Sequence, residues 1–360
     1  MSILNLVRPE LLNSPSYVPG GEEIQYRLHA NELPWAPIDL ESLELNFYPK
    51  YQAQRELLDQ LADYYQVEKN QITLTRGNND GIDLVSRLFL KAGKNALLHV
   101  PPTFALYAFF ARLQQAELLQ CPLSFTTNFN LTLEDICNSW QPNCTVIMLC
   151  NPNNPTGSLI NLEFIETVCT YYTNKSIVVI DETYMEFAKG QSASTLVSQF
   201  ENLVVLKTLS KSAGLAGLRL GSIIAQAHVI QAFNKIIAPY TMSSAVIKLA
   251  IKALRDKAWF ATAIDTIRTQ RDWLINELQK ISVQSVIEKT YPSEANFLLI
   301  KTPYAKQLAQ YFASHGIAIR DFSSDTLLHN HIRITVGNET QNQLLISTLS
   351  SFIDTQLQDL

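Results

Sequence analysis

"SIVVIDETY", residues 176–184, sets four consecutive β-branched residues ahead of an aspartate, a glutamate and a tyrosine. A strand with one wet face alternates apolar and polar positions. A run that is apolar at every position is buried on both faces, the condition of a parallel strand in a sheet covered by helices. The same texture recurs on both sides of it, in "QITLTRG" (71–77), "NALLHVPP" (95–102), "AELLQCPL" (116–123), "TVIMLCNPNNP" (145–155), "NLVVLKTLS" (202–210) and "LRLGSIIA" (218–225). Between these runs lie helix-period segments, "NNDGIDLVSRLFLKAG" (78–93), "TFALYAFFARLQQ" (103–115) and a third near 161–173. The alternation predicts an α/β fold with a mainly parallel sheet of about seven strands flanked by helices.

After Pro239 the texture changes. A long helical stretch with few breakers is expected from about 242 to 282, then strand "ANFLLIKT", helix 303–314, strands "GIAIRDF" and "HIRITVG", and a last helix from 339. That is a smaller α+β unit. The expected organisation is an N-terminal arm, 1–43, contributing to the small unit and to a dimer; a large domain, 44–240; and a small C-terminal domain, 241–360.

At 360 residues, 47% of them hydrophobic and 17% charged, the chain is long enough for two such units and has a globular composition. The formal charge of −5 is modest and no basic run could track a phosphate backbone, so nucleic acid is not an expected partner. The longest apolar runs are strand-sized, too short to span a membrane. "MSILNLVRPELLNSPSY" is interrupted by Arg8, Pro9 and Glu10 and has no continuous apolar core of a leader, so a cytoplasmic protein is expected. Cys121, Cys137, Cys144, Cys150 and Cys169 contain no C-x-x-C pair and read as reduced packing or surface thiols. His329 and His331 stand without further ligand residues nearby in sequence, so no metal is expected.

Ligands of open α/β sheets sit at the carboxyl ends of the strands, and the unusual residues of this chain collect there. "ITLTRG" leads into Gly77-Asn78-Asn79-Asp80-Gly81 at a helix start, whose free N–H groups suit an anion. "VIMLC" leads into the stiff Asn151–Gly157 loop, and "IVVI" into Asp181, Glu182, Thr183 and Tyr184. "LVVLK" leads into "TLSKSAGLAGLR" (208–219), one lysine between two serines and small neighbours, then an arginine. Neither a Walker motif nor a dinucleotide fingerprint is present. Pyridoxal phosphate is one cofactor that needs a lysine amine, a carboxylate for its ring nitrogen, donors to its phenolate and an arginine with a helix N-terminus for its phosphate.

Through "LHANELP", "FYPKY", "TRGNNDGIDL", "PPTFALY", "NPNNPTG", "DETYMEF", "TLSKSAGLAGLRLG", "IIAPYTMS", "EANFLLIK", "GIAIRDF" and "HIRITVGN", nearly the whole chain resembles the fold-type-I pyridoxal-phosphate aminotransferases of the class II subgroup, and within them the histidinol-phosphate aminotransferase family. The resemblance implies Lys211 as the amine that binds the cofactor aldehyde and then carries the transferred proton. It implies Asp181 as the partner of the pyridinium nitrogen, and Tyr184 and Asn154 as partners of the phenolate oxygen. Ser210, Arg219 and the backbone N–H groups of Asn78 and Asn79 would hold the phosphate, although the family often has Ala-Asp where this chain has Asn78-Asn79. Phe104 stands where relatives commonly stack a tyrosine on the ring, and Tyr48 would reach the cofactor phosphate of a neighbour across a homodimer.

On the substrate side the resemblance implies Arg333, Arg320, Tyr17 and Asn154. Arg333 lies inside the apolar alternation of "HIRITV", where an unpaired charge is costly, and so calls for an anion. Two guanidiniums suit a dianion. The implied substrates are L-histidinol phosphate with 2-oxoglutarate, or glutamate in reverse. Aromatic amino acids, or a decarboxylase acting on threonine phosphate, are the alternatives on the same frame. A ligand-binding regulator is a weaker alternative, since all the catalytic groups are present. His29 reads as a packed histidine, and Asn154–Pro155 as a cis peptide.

Overall fold

The computed structural model describes residues 2–9, 47–281 and 286–358. Tyr17, His29 and "LHANELP" lie outside those residues.

Seven strands form one sheet: β1 (Ile72–Thr75), β2 (Ala96–His99), β3 (Glu117–Gln120), β4 (Cys144–Cys150), β5 (Ile177–Asp181), β6 (Leu203–Thr208) and β7 (Gly221–Ile224). Their spatial order is β1-β7-β6-β5-β4-β2-β3. β3, β2, β4, β5 and β6 are parallel, while β7 runs antiparallel to both β6 and β1. Every residue of β4, β5 and β6 is buried, as continuous apolar runs require. Successive side chains feed opposite cores: Ile147, Leu149, Val178 and Ile180 one face, Val146, Met148, Ile177 and Val179 the other. Each such side chain contributes about 1.5–3 kcal/mol by leaving water.

Parallel order puts the carboxyl ends of β4, β5 and β6 side by side, with Cys150 paired to Asp181 and Asp181 to Leu206. The polar sequences following these strands therefore meet at one edge. A second, four-stranded sheet of order β10-β11-β9-β8 comprises β8 (Lys289–Thr290), β9 (Phe297–Lys301), β10 (Arg320–Asp321) and β11 (His331–Thr335). It has its own core of Leu298, Ile300, Ile332, Ile334, Leu308 and Phe312 with their neighbours. Tyr184, Phe187, Ala295 and Phe297 form a small cluster joining the two sheets.

Two expectations need correction. The stretch expected as one helix is two, Ser244–Leu254 and Lys257–Ile281, because the first ends at Arg255 and the Asp256 carboxylate accepts the Trp259 N–H at 3.1 Å to start the second. "GIAIRDF" supplies only two strand residues, and β8 was not anticipated from its short polar sequence. At the chain start, Ile3 and Val7 join a core of the seven-stranded sheet, and Ile3 N–H donates to Glu201 at 3.1 Å. Residues 2–9 of the arm therefore dock on the larger unit, and the rest of the arm, 10–43, lies outside the described residues.

Candidate active site

Asp181, the last residue of β5, is 2% exposed. Burial raises its affinity for a proton, and hydrogen bonds from Thr183, Tyr107 and Asn78 oppose that rise. Oδ1 accepts Asn78 Nδ2 at 2.9 Å, Thr183 N at 3.1 Å and Thr183 Oγ1 at 2.7 Å; Oδ2 accepts the Tyr107 hydroxyl at 2.8 Å. These donors favour the ionised form and work against the rise that burial imposes.

Next to it on the β4 side, Asn154 lies in the Asn151–Gly157 loop. Its Nδ2 donates to the Tyr184 hydroxyl at 3.3 Å, and its Oδ1 accepts from the Arg333 guanidinium. Asn154–Pro155 is cis, as expected from the sequence, and so are Asn151–Pro152 and Pro101–Pro102. Burial pushes the Tyr184 phenol up, so it remains a proton donor near neutrality. The Tyr184 ring meets Phe297 of β9 edge-on at 5.1 Å.

Arg333 comes from β11. It is half-buried, its guanidinium sits 5.1 Å from the Phe297 ring centre, and it faces Arg320 directly in the β10–β11 register. Like charges directly opposite on a sheet repel. No carboxylate among the described residues pairs with either arginine: Asp321 spends its oxygens on Ser323, at 2.7 Å to both N and Oγ. Two guanidiniums therefore face one another at this end of the small sheet.

The loop after β6 carries Lys211. Partial burial, and then the positive charges of Arg333 and Arg219, hold its ammonium below the ordinary lysine range. This promotes the free amine, the form that attacks a carbonyl. Ser210 N–H donates to Thr208 Oγ1 at 3.1 Å, and Thr208 Oγ1 to the Leu220 carbonyl at 3.0 Å, which closes the loop.

Arg219 lies against the helix Asn78–Phe89. Gly77 begins that helix at φ +81°, and a Cβ there would stand 2.6 Å from Arg219 Nη2, so only glycine admits the guanidinium so close. Asp80 and Gly81 donate to the Gly77 carbonyl, whereas the Asn78 and Asn79 N–H groups make no such bond. A guanidinium beside free N–H groups and the positive end of a helix is a cradle for a phosphate. Beside it opens a cleft of about 580 Å³ lined by Asn79, Phe110, Arg219, Thr241 and Ser243 among others.

The structure thus brings Lys211, Asp181, Tyr184, Asn154, Asn78, Asn79, Ser210, Arg219, Arg333 and Arg320 to one edge of the two sheets. Phe104, half-buried, precedes the helix Leu106–Leu113 and meets Tyr107 edge-on at 5.7 Å. Tyr48 is 46% exposed and stacks 4.1 Å from the ring of Tyr240, the residue before Thr241 of the cleft lining. Tyr17 lies outside the described residues. Sequence reasoning missed Tyr107 and the side chain of Asn78. The signal for Tyr107 was faint: a tyrosine in an apolar helix segment must find a partner for its hydroxyl if buried. His331, considered for a metal, is buried and stacked on Tyr291.

The class I and II aminotransferase family matches residues 28–349. The chain is 58% identical over 352 residues to histidinol-phosphate aminotransferase 1 of Legionella pneumophila (strain Lens), covering 98% of this chain and 96% of that protein. Among solved structures, it superposes on the histidinol-phosphate aminotransferase of Clostridium acetobutylicum with a TM-score of 0.78 at 22% identity, over 86% of this chain and 92% of that one. The Sinorhizobium meliloti histidinol-phosphate aminotransferase, solved in complex with pyridoxal-5'-phosphate, matches with a TM-score of 0.74 at 23% identity, over 84% and 82%.

Proposed function

The chain belongs to the class I and II aminotransferase family, and from that premise we propose that it transfers the amino group of L-histidinol phosphate to 2-oxoglutarate, giving imidazole-acetol phosphate and L-glutamate in histidine biosynthesis. The observation that carries the substrate is the facing pair Arg320 and Arg333, without a carboxylate partner among the described residues. An ordinary amino acid offers a singly charged carboxylate at that place, whereas histidinol phosphate offers a dianion. Two guanidiniums match the dianion.

The cofactor in this reading is pyridoxal 5'-phosphate, and the residues fit it. Gly77 leaves the space in which Arg219 and the Asn78 and Asn79 N–H groups converge on a phosphate, with Ser210 alongside. Asn78 Oδ1 is a buried acceptor without a donor among the described residues, at the rim of the same site. Bound there, the cofactor supplies a reactive aldehyde and an electron-withdrawing ring. Asp181 would hold the proton on the ring nitrogen, Tyr184 and Asn154 would bind the phenolate oxygen, and Phe104 would cover the ring face. Lys211 would offer its amine to the aldehyde and would hold and pass on the transferred proton at Nζ. Tyr17, with Arg320, Arg333 and Asn154, completes the substrate side.

The same reading divides the chain into an arm (1–43), a cofactor-binding domain (44–240) and a small domain (241–360). It makes the enzyme a cytoplasmic homodimer in which Tyr48 serves the neighbour's phosphate site. Phe109 and Leu113, exposed on the helix that carries Phe110 of the cleft lining, would supply an apolar contact for such a dimer.

The test is one half-reaction. Protein purified with pyridoxal phosphate receives histidinol phosphate without any keto acid, and the cofactor's visible absorption is followed. Bleaching with formation of pyridoxamine phosphate is expected. A stable band that phenylalanine bleaches instead would assign another donor, and no band at all would remove the cofactor.

A further inference from the structure

Asp181 holds its two oxygens unequally. Oδ1 receives three donors, from Asn78 Nδ2, Thr183 N and Thr183 Oγ1, whereas Oδ2 receives only the Tyr107 hydroxyl. A carboxylate oxygen has about two lone-pair sites. Oδ1 is therefore saturated, and Oδ2 has a site to spare.

The donors are themselves fixed. The second Asn78 N–H goes to Thr183 Oγ1 at 2.7 Å, which leaves the Thr183 hydroxyl proton to point at Asp181. Asn78 Oδ1 is buried without a partner among the described residues, and turning the amide over would lay that oxygen against the carboxylate. The orientation that feeds Asp181 is thus kept at the expense of an unsatisfied acceptor. Tyr107 is fully buried, and burial and the Asp181 charge both hold its phenol protonated. It can only donate to Asp181.

We infer that Asn78, Thr183 and Tyr107 are positioning residues: Asn78 and Thr183 lock Oδ1 of Asp181, Tyr107 fixes one side of Oδ2, and the remaining site of Oδ2 is presented to the ring nitrogen of the cofactor. What Oδ2 serves rests on the cofactor reading above; the clamp on the carboxylate does not. Asn78 in this scheme has two tasks, an N–H at the phosphate cradle and an amide on the carboxylate. It couples the two ends of one ligand through a single residue.

Asn78→Ala and Tyr107→Phe each remove one donor to the ionised carboxylate, and the second keeps the ring that fills the core. In the cofactor-free proteins, carbon NMR of labelled aspartate, with Asp181→Asn for assignment, should show the Asp181 midpoint moved to higher pH in both variants. In the reconstituted proteins, the ring-nitrogen signal of ¹⁵N-labelled pyridoxal phosphate should lose its proton at lower pH than in the parent. The single-turnover rate with histidinol phosphate should fall roughly tenfold, with the half-saturating concentration unchanged, since neither residue touches the substrate anion. Thermal melts identify any variant that has lost its fold, and Thr183→Val then replaces it.

Folded variants with an unmoved carboxyl midpoint and an unchanged rate would overturn the clamp. A parent protein inert toward histidinol phosphate would instead remove the substrate reading, and the carboxyl titration of the cofactor-free protein would still decide the clamp.

Discussion

Lys211 illustrates how far one residue's chemistry is set by side chains distant in sequence. Its loop is built by β6, yet the charge lowering its proton affinity comes partly from Arg333 on β11, beside Arg219 from its own loop. Removing Arg333 removes one of the two cations that disfavour the ammonium. In Arg333→Gln the pH at which Lys211 begins to bind pyridoxal phosphate should therefore move upward, measured as the association rate of the cofactor against pH. The same variant should raise KM for histidinol phosphate roughly tenfold to hundredfold, as expected for a lost charged hydrogen bond. Lys211→Ala should lower turnover by about four orders of magnitude, and full turnover in that variant would dismiss the lysine. The residues at strand ends were legible because Lys211, Asp181 and Asn154 each interrupt an apolar run with a polar group. Tyr107 was not, because within "FALYAFF" it reads as one more apolar face residue. Asn78 was half legible: the helix start revealed its N–H, and nothing local revealed where its amide points.

Among elements, the turn that follows β5 carries most of the construction. Glu182, wholly buried, takes Lys207 Nζ at 2.7 Å and Ala193 N–H at 2.6 Å, and Glu186 takes the same Nζ at 3.2 Å. From the helix Lys257–Ile281, Arg268 donates to the carbonyls of Glu186, Phe187 and Ala188, and fully buried Arg271 to those of Phe187 and Ala295. Asp181 and Tyr184 are thereby gripped from both sheets. Lys207→Met should cost about 3–5 kcal/mol in urea unfolding, because it leaves a buried carboxylate without its cation. The Asn151–Gly157 loop is held just as tightly: Gly157 has φ +74°, and a Cβ there would lie 2.7 Å from Ser293 Cβ and 2.9 Å from its Cα. Gly157→Ala should cost at least about 2 kcal/mol and slow the half-reaction, since Asn154 moves with the loop. Strands with continuous apolar runs were evident in advance. β8 was not, because its two residues are polar and owe their pairing to β9. Nor was the break at Asp256, where a single side-chain cap outweighs an otherwise helical sequence.

For the molecule as a whole, two buried histidines contribute to destabilisation in acid. Burial lowers both His99 and His331 from 6.5 to about 4. Above pH 6.5 each is neutral whether folded or not. Between 6.5 and 4 the unfolded chain takes up a proton that the folded chain refuses, so stability falls as pH falls through this window, by up to about 3 kcal/mol for each histidine. His331 lies among Phe125, Tyr291 and the small sheet, and its ring centre is 5.2 Å from that of Phe125. A Tm profile over this range should flatten in His99→Leu and His331→Phe, and a slope identical to the parent's would show that the two rings titrate normally. How the two sheets meet was beyond the sequence, because the seam of Tyr184, Phe187, Ala295 and Phe297 joins segments more than a hundred residues apart. The facing arginines of the small sheet carry a practical corollary. A pair of guanidiniums opposite one another, with no carboxylate partner among the described residues, favours any small dianion in solution. Sulfate and phosphate buffers should then act as competitive inhibitors, read as a KM that rises with buffer concentration, so that rates in different buffers would compare the salts as much as the enzyme.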